Sequence, residues 1–113
     1  MPDHDAARSA LLTERASAAA LRGSLERDVA GIVAASAGSN ADDEHDPEGS
    51  TIAFERSQVA SLLGQTLRRL DDIDAALARL DDGTYGTCRG CGVDIPAGRL
   101  EARPVARTCV DCA

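Results

Sequence analysis

All four cysteines of this chain stand near its end, as Cys88-Arg89-Gly90-Cys91 and Cys109-Val110-Asp111-Cys112, with seventeen residues between the pairs. Two residues between thiolates let one tight turn present both sulfurs to a single tetrahedral ion, and two such turns close a four-sulfur shell. Gly90 and Gly92 can take the backbone angles such a knuckle needs, leaving amides to point at sulfur. The pattern predicts one structural Zn2+ held by Cys88, Cys91, Cys109 and Cys112, with no open position for catalysis. A thioredoxin-like pair would use a single C-x-x-C beside a βαβ pattern, which is absent. An iron–sulfur cluster also accepts four cysteines, but the two-plus-two spacing and the knuckle glycines favour zinc. From Gly83 onward the large apolar side chains are Tyr85, Val93, Ile95, Leu100, Val105 and Val110. That inventory cannot fold a segment of this size by burial alone, so 83–113 is read as a small module that needs its metal.

The rest of the chain reads as helix. Val59, Leu63, Thr66, Leu70, Ile73, Leu77 and Leu80 step by four and three without a miss, a heptad seam with one polar member. Leu62 and Leu67 widen the stripe. This predicts a helix from about Thr51 to Asp82, roughly 45–50 Å long at 1.5 Å per residue, ended by Gly83. An earlier helix is expected over about Ala6 to Ala37, with Leu11, Ala18, Leu21, Leu25, Val29 and Ile32 on one face and Gly38-Ser39-Asn40 as its stop. Two helices of similar length with a short polar link form an antiparallel hairpin by default, and parallel self-association is the competing use of the seam. The fold class is therefore mainly α: a hairpin coiled coil over 1–82, then a C-terminal four-cysteine module over 83–113. The matching stripe on the first helix favours the intramolecular pairing, and hence a monomer.

Composition agrees with a narrow seam. Of the apolar residues 21 are Ala, and the only aromatic residues are Phe54 and Tyr85. The twelve basic residues, all Arg, face nineteen Asp and Glu, for a net charge of −7. Thiolate zinc would make it more negative, so a phosphate backbone is a poor direct partner and no sequence-specific DNA binding is expected. No apolar run approaches the roughly 20 residues that span a bilayer, and the acidic start Met1-Pro2-Asp3-His4-Asp5 is not a signal peptide. A cytoplasmic protein is expected, and in a reducing compartment four cysteines point to metal.

The link between the helices, Asp42-Asp43-Glu44-His45-Asp46-Pro47-Glu48, packs its carboxylates at the far end of the hairpin. A solvated loop is one reading of such a run. Clustered like charges repel by about 1 kcal/mol at 4 Å in water, and Pro47 with Gly49 suggests a defined turn. A tip that meets a metal ion, an Arg-rich pocket or a loop of a partner is the other reading. His45 is read as a polar loop residue and His4 as part of a frayed terminus. No nucleophile, phosphate loop or catalytic triad is present, so no enzyme activity is expected.

A helical hairpin with an acidic tip and a terminal four-cysteine module resembles the DksA/TraR family of bacterial transcription regulators. The closest correspondence is in Tyr85-Gly86-Thr87-Cys88-Arg89-Gly90-Cys91-Gly92, Ile95, Arg99-Leu100-Glu101-Ala102-Arg103-Pro104 and Cys109-Val110-Asp111-Cys112. The resemblance implies a C4-type zinc finger and direct binding to RNA polymerase. It further implies that the coiled coil enters the secondary channel and that the tip acts near the active centre on open-complex stability. The family's D-x-x-D-x-A tip pattern maps its two aspartates onto Asp43 and Asp46, with Glu48 where alanine is expected, and Asp42, Glu44 and Glu48 are further tip carboxylates. It brings in the stringent response and raises guanosine tetraphosphate as a co-regulator. The other readings of the sequence are a transcript-cleavage factor on polymerase, a zinc-dependent protein–protein adaptor, and a thiol redox sensor.

Overall fold

A computed structural model describes residues 4–38 and 47–113 of the chain. Three α-helices, α1 (His4–Gly38), α2 (Pro47–Asp82) and α3 (Ala97–Ala102), are followed by a 3-10 turn at Val110–Cys112. The two long helices pack as a hairpin, and among the described residues there is no strand beyond one isolated antiparallel bridge, Thr87 with Asp94. None of the described helices is long and apolar enough to cross a membrane. Both long helices start earlier than the periodicity predicts, α1 at His4 and α2 at Pro47 rather than Thr51. Proline suits a first helical position, because its fixed φ is already helical and its missing N–H would have had no partner there.

Two compact units divide the described residues: 4–17 with 69–113, and the described part of 18–68. In the first, Leu11, Ile73 and Ala76 are fully buried and Leu70 nearly so. Arg8 pairs with Asp81 at 2.9 Å, Arg15 with Asp74 at 2.6 Å, and Arg69 with Glu14. Early residues of α1 thus meet late residues of α2, which is the antiparallel register. These pairs are exposed and each contributes under about 1 kcal/mol. Their effect is to select register and direction, as flanking charges do in coiled coils.

In the second unit Leu25 of α1 and Thr66 of α2 are buried. Thr66, the polar seam member, donates its hydroxyl to the Leu62 carbonyl at 2.8 Å. A helical threonine can satisfy itself on the preceding turn in this way, so its burial leaves no orphaned group. The seven α2 seam positions are all buried or half-buried. Three leucines depart from expectation: Leu21 is 51% exposed, Leu62 46% and Leu67 39%. Leu62 and Leu67 therefore lie outside the contact stripe rather than widening it.

Gly83 ends α2 with φ +82°, a left-handed angle that only glycine adopts without steric cost. The amides of Thr84 and Tyr85 then both donate to the Arg79 carbonyl, at 3.0 and 3.1 Å. Asp82 accepts the Thr84 amide at 3.0 Å and its hydroxyl as well, and these two bonds, hydroxyl first, hold the Asp82 carboxyl below its usual range. Arg79 itself is buried, and its guanidinium donates to the Val105 carbonyl at 3.3 Å. The same residue thus closes the helix through its carbonyl and reaches the C-terminal segment through its side chain.

Candidate metal centre

The local fold of residues 84–113 is a short hairpin, a helical turn and a return strand of coil. The Cys88 amide donates to the Val93 carbonyl at 2.8 Å and the Ile95 amide to the Gly86 carbonyl at 2.7 Å, which folds Cys88–Cys91 into a tight loop. Pro96 opens α3, whose first free amides, Arg99 and Leu100, return to the Pro96 carbonyl. Arg99 donates its side-chain Nε to the Thr108 carbonyl at 3.0 Å, drawing the second cysteine pair toward α3. The Arg89 amide donates to the Arg107 carbonyl at 2.9 Å, which lays the two knuckles side by side.

Tyr85 and Ile95 are buried beneath this arrangement, whereas Val93 and Val110 are 62% and 67% exposed. The Tyr85 hydroxyl donates to the Pro104 carbonyl at 2.9 Å, and burial pushes its pKa above the usual value. The ring of His4 meets Tyr85 edge-on, with centroids 5.1 Å apart. His4, expected at a frayed end, is therefore packed.

The sulfurs of Cys88, Cys91, Cys109 and Cys112 all lie within 4.8 Å of one another. The Sγ atoms of Cys91 and Cys109 are 3.8 Å apart. A tetrahedron with Zn–S bonds of about 2.3 Å has an edge of about 3.8 Å, so the spacing suits one such ion. Cys88 accepts the Gly90 amide at 3.3 Å and the Cys109 amide at 3.2 Å, the amide-to-sulfur bonds expected around a thiolate.

Protonation follows the same geometry. Backbone amides, that of Cys109 first and then Cys91, hold the Cys88 thiol down to about 6. Cys112 is pushed up to about 12 by the neighbouring thiols Cys109, Cys88 and Cys91. At Cys91 the Val93 amide lowers the pKa, but the Cys88 and Cys109 thiols outweigh it and raise the net value. Four sulfurs this close cannot all ionise alone, and a dication removes the conflict by binding them as thiolates.

Gly90 serves the site by size. It does not adopt the positive φ anticipated for it; Gly92 does, at +77°. A Cβ on Gly90 would stand 2.9 Å from both Cβ and Sγ of Cys112. Gly90→Ala is therefore expected to displace Cys112 and lower zinc affinity about ten- to a hundredfold, as loss of a ligand-orienting contact does. Competition against a chromophoric chelator measures it.

The acidic tip assignments, Asp42, Asp43, Glu44 and Asp46 with the neighbouring His45, lie outside the described residues, and Glu48 falls in the first turn of α2. Periodicity gave no hint of Arg79, a charged residue held under the C-terminal segment by a carbonyl 26 positions away.

Comparison with known proteins agrees with this geometry. Residues 83–113 match the family model for the prokaryotic dksA/traR C4-type zinc finger. The chain is 36% identical over 73 residues to general stress protein 16O of Bacillus subtilis, covering 65% of this chain and 45% of that protein. It is 48% identical over 40 residues to the RNA polymerase-binding transcription factor DksA of Escherichia coli K12, covering 35% of this chain and 26% of that one. The chain spans less than half the length of these curated relatives. The solved structure of transcription factor DksA2 from Pseudomonas aeruginosa superposes with a TM-score of 0.80 at 29% identity, over 96% of this chain and 78% of that one.

Proposed function

Residues 83–113 being a dksA/traR C4-type zinc finger, we propose that the chain is a cytoplasmic transcription regulator that binds RNA polymerase directly. In this reading Cys88, Cys91, Cys109 and Cys112 hold one structural Zn2+, which supplies the folding energy of the module and takes no part in chemistry. The hairpin of α1 and α2 enters the secondary channel, and Asp43 and Asp46 alter open-complex stability near the active centre. Asp42, Glu44 and Glu48 add negative charge at the same end, and no catalytic step is assigned to the chain. The observation that carries this is the likeness to DksA2 over 96% of the chain, joined to a four-sulfur cluster of zinc dimensions.

The test is co-purification with core RNA polymerase, with zinc measured in the same sample, followed by Asp43→Ala with Asp46→Ala. The double variant is expected to bind polymerase with nearly unchanged affinity and to lose its effect on open-complex lifetime. Lost affinity with an unchanged effect per bound molecule contradicts the tip role. Stimulated transcript cleavage in stalled complexes would select the cleavage-factor reading instead.

A further inference from the structure

Arg89 sits inside the first knuckle and Arg107 two residues before the second, and the bond between their backbones makes them neighbours. Both residues are exposed. Arg8, Arg15, Arg22 and Arg69 each have a carboxylate within 4.0 Å, whereas none of the ion pairs among the described residues includes Arg89 or Arg107. Arg79, buried nearby, feels the positive charge of both. The negative charge of a zinc–thiolate centre is met from within by backbone amides on the Cys88 sulfur. The two outer guanidiniums remain turned to solvent.

We propose that Arg89 and Arg107 form a two-guanidinium docking site for carboxylates on the surface of a partner protein. The proposal rests on the polymerase reading and names the chemistry of one contact within it: an acidic stretch of that enzyme faces the knuckles. Charge distribution supports the choice of occupant. Residues 1–82 carry eight Arg against sixteen Asp and Glu, whereas 83–113 carry four Arg against three acids. A polyanion such as DNA would be repelled by the chain as a whole. A pair of carboxylates on a folded surface meets only the local positive patch. The planar guanidinium fork matches a carboxylate through two parallel hydrogen bonds.

The test compares zinc-loaded wild type with the Arg89→Gln, Arg107→Gln double variant for binding to core RNA polymerase by fluorescence anisotropy at two salt concentrations. The double variant is expected to bind about five- to tenfold more weakly, with a shallower salt dependence, as for charges at an interface. Its zinc content and circular dichroism should match wild type. Equal affinity in both proteins overturns the docking pair, and so does zinc loss in the variant, which would assign the two arginines to the metal centre. Duplex DNA that competes for the wild type and not for the variant would make the ligand a phosphate and overturn the carboxylate assignment. A wild type that fails to bind polymerase at any salt overturns the underlying reading, a result distinct from the others.

Discussion

Stripping the metal, by chelator or by Cys88→Ser, is expected to unfold residues 83–113 while most of the helical signal persists. The module buries Tyr85, Cys88, Ile95 and Ala106 and little else. Burial of a large side chain contributes about 1.5–3 kcal/mol, whereas ordering each residue costs about 1–2 kcal/mol of backbone entropy. Structural zinc contributes on the order of 10–16 kcal/mol in comparable peptides, enough to reverse the balance. The long helices persist because their seam requires no ion. Proton competition sets the direction with pH. Each ligand must be a thiolate, so zinc retention falls as pH falls. Among the four thiols Cys88 alone is depressed to about 6. Stabilisation from its ionised form is present above the ordinary thiol range and is lost as pH drops through about 6. Amide-resonance dispersion for 83–113, followed alongside released zinc, measures both effects. A metal-free chain with those resonances still dispersed would show that the ion is not the staple.

Ile73→Ala should cost about 2–5 kcal/mol, the range for emptying a fully buried aliphatic site. Ile73 is 0% exposed, in the same unit as the fully buried Leu11 and Ala76. With few aromatic side chains and small alanines throughout, nothing large stands ready to fill the space. Small domains have only about 5–15 kcal/mol in total, so one truncation should consume much of it. Leu62→Ala is the matched control, because Leu62 is 46% exposed, and it should fall within about 0.5 kcal/mol of wild type. Urea denaturation followed by circular dichroism compares the two. Similar losses at both positions would show that the seam has been placed on the wrong face.

The contrast between Ile73 and Leu62 marks how far periodicity could be read. On α2 the steps of four and three follow one face and all seven positions are at least half-buried. On α1 Leu11, Ala18, Leu25 and Ile32 recur every seven residues and are buried or half-buried, while Leu21 is exposed. At 100° per residue Leu21 stands about 80° from Leu11, beyond the contact line. An alanine-rich helix offers little contrast to reveal this in advance. The zinc pattern was legible because cysteine spacing is itself geometry. The need for a side-chain-free position at Gly90 was not, since it arises from Cys112, distant in sequence. Arg79 was hidden for the same reason: its acceptor is fixed by the fold of the module and by no neighbour along the helix.

Arg79 also makes the length of the joint a fixed quantity. Its carbonyl takes the Thr84 and Tyr85 amides while its guanidinium spans to Val105. One residue inserted between Leu80 and Gly83 would turn everything after it by about 100° about the axis of the last helical turns. The carbonyl and the side chain of one residue could not both keep their partners through that rotation. Exchanging terminal modules between chains of this kind is therefore a problem of angular phase, and junctions that conserve the count from Arg79 to Tyr85 are those expected to remain in step.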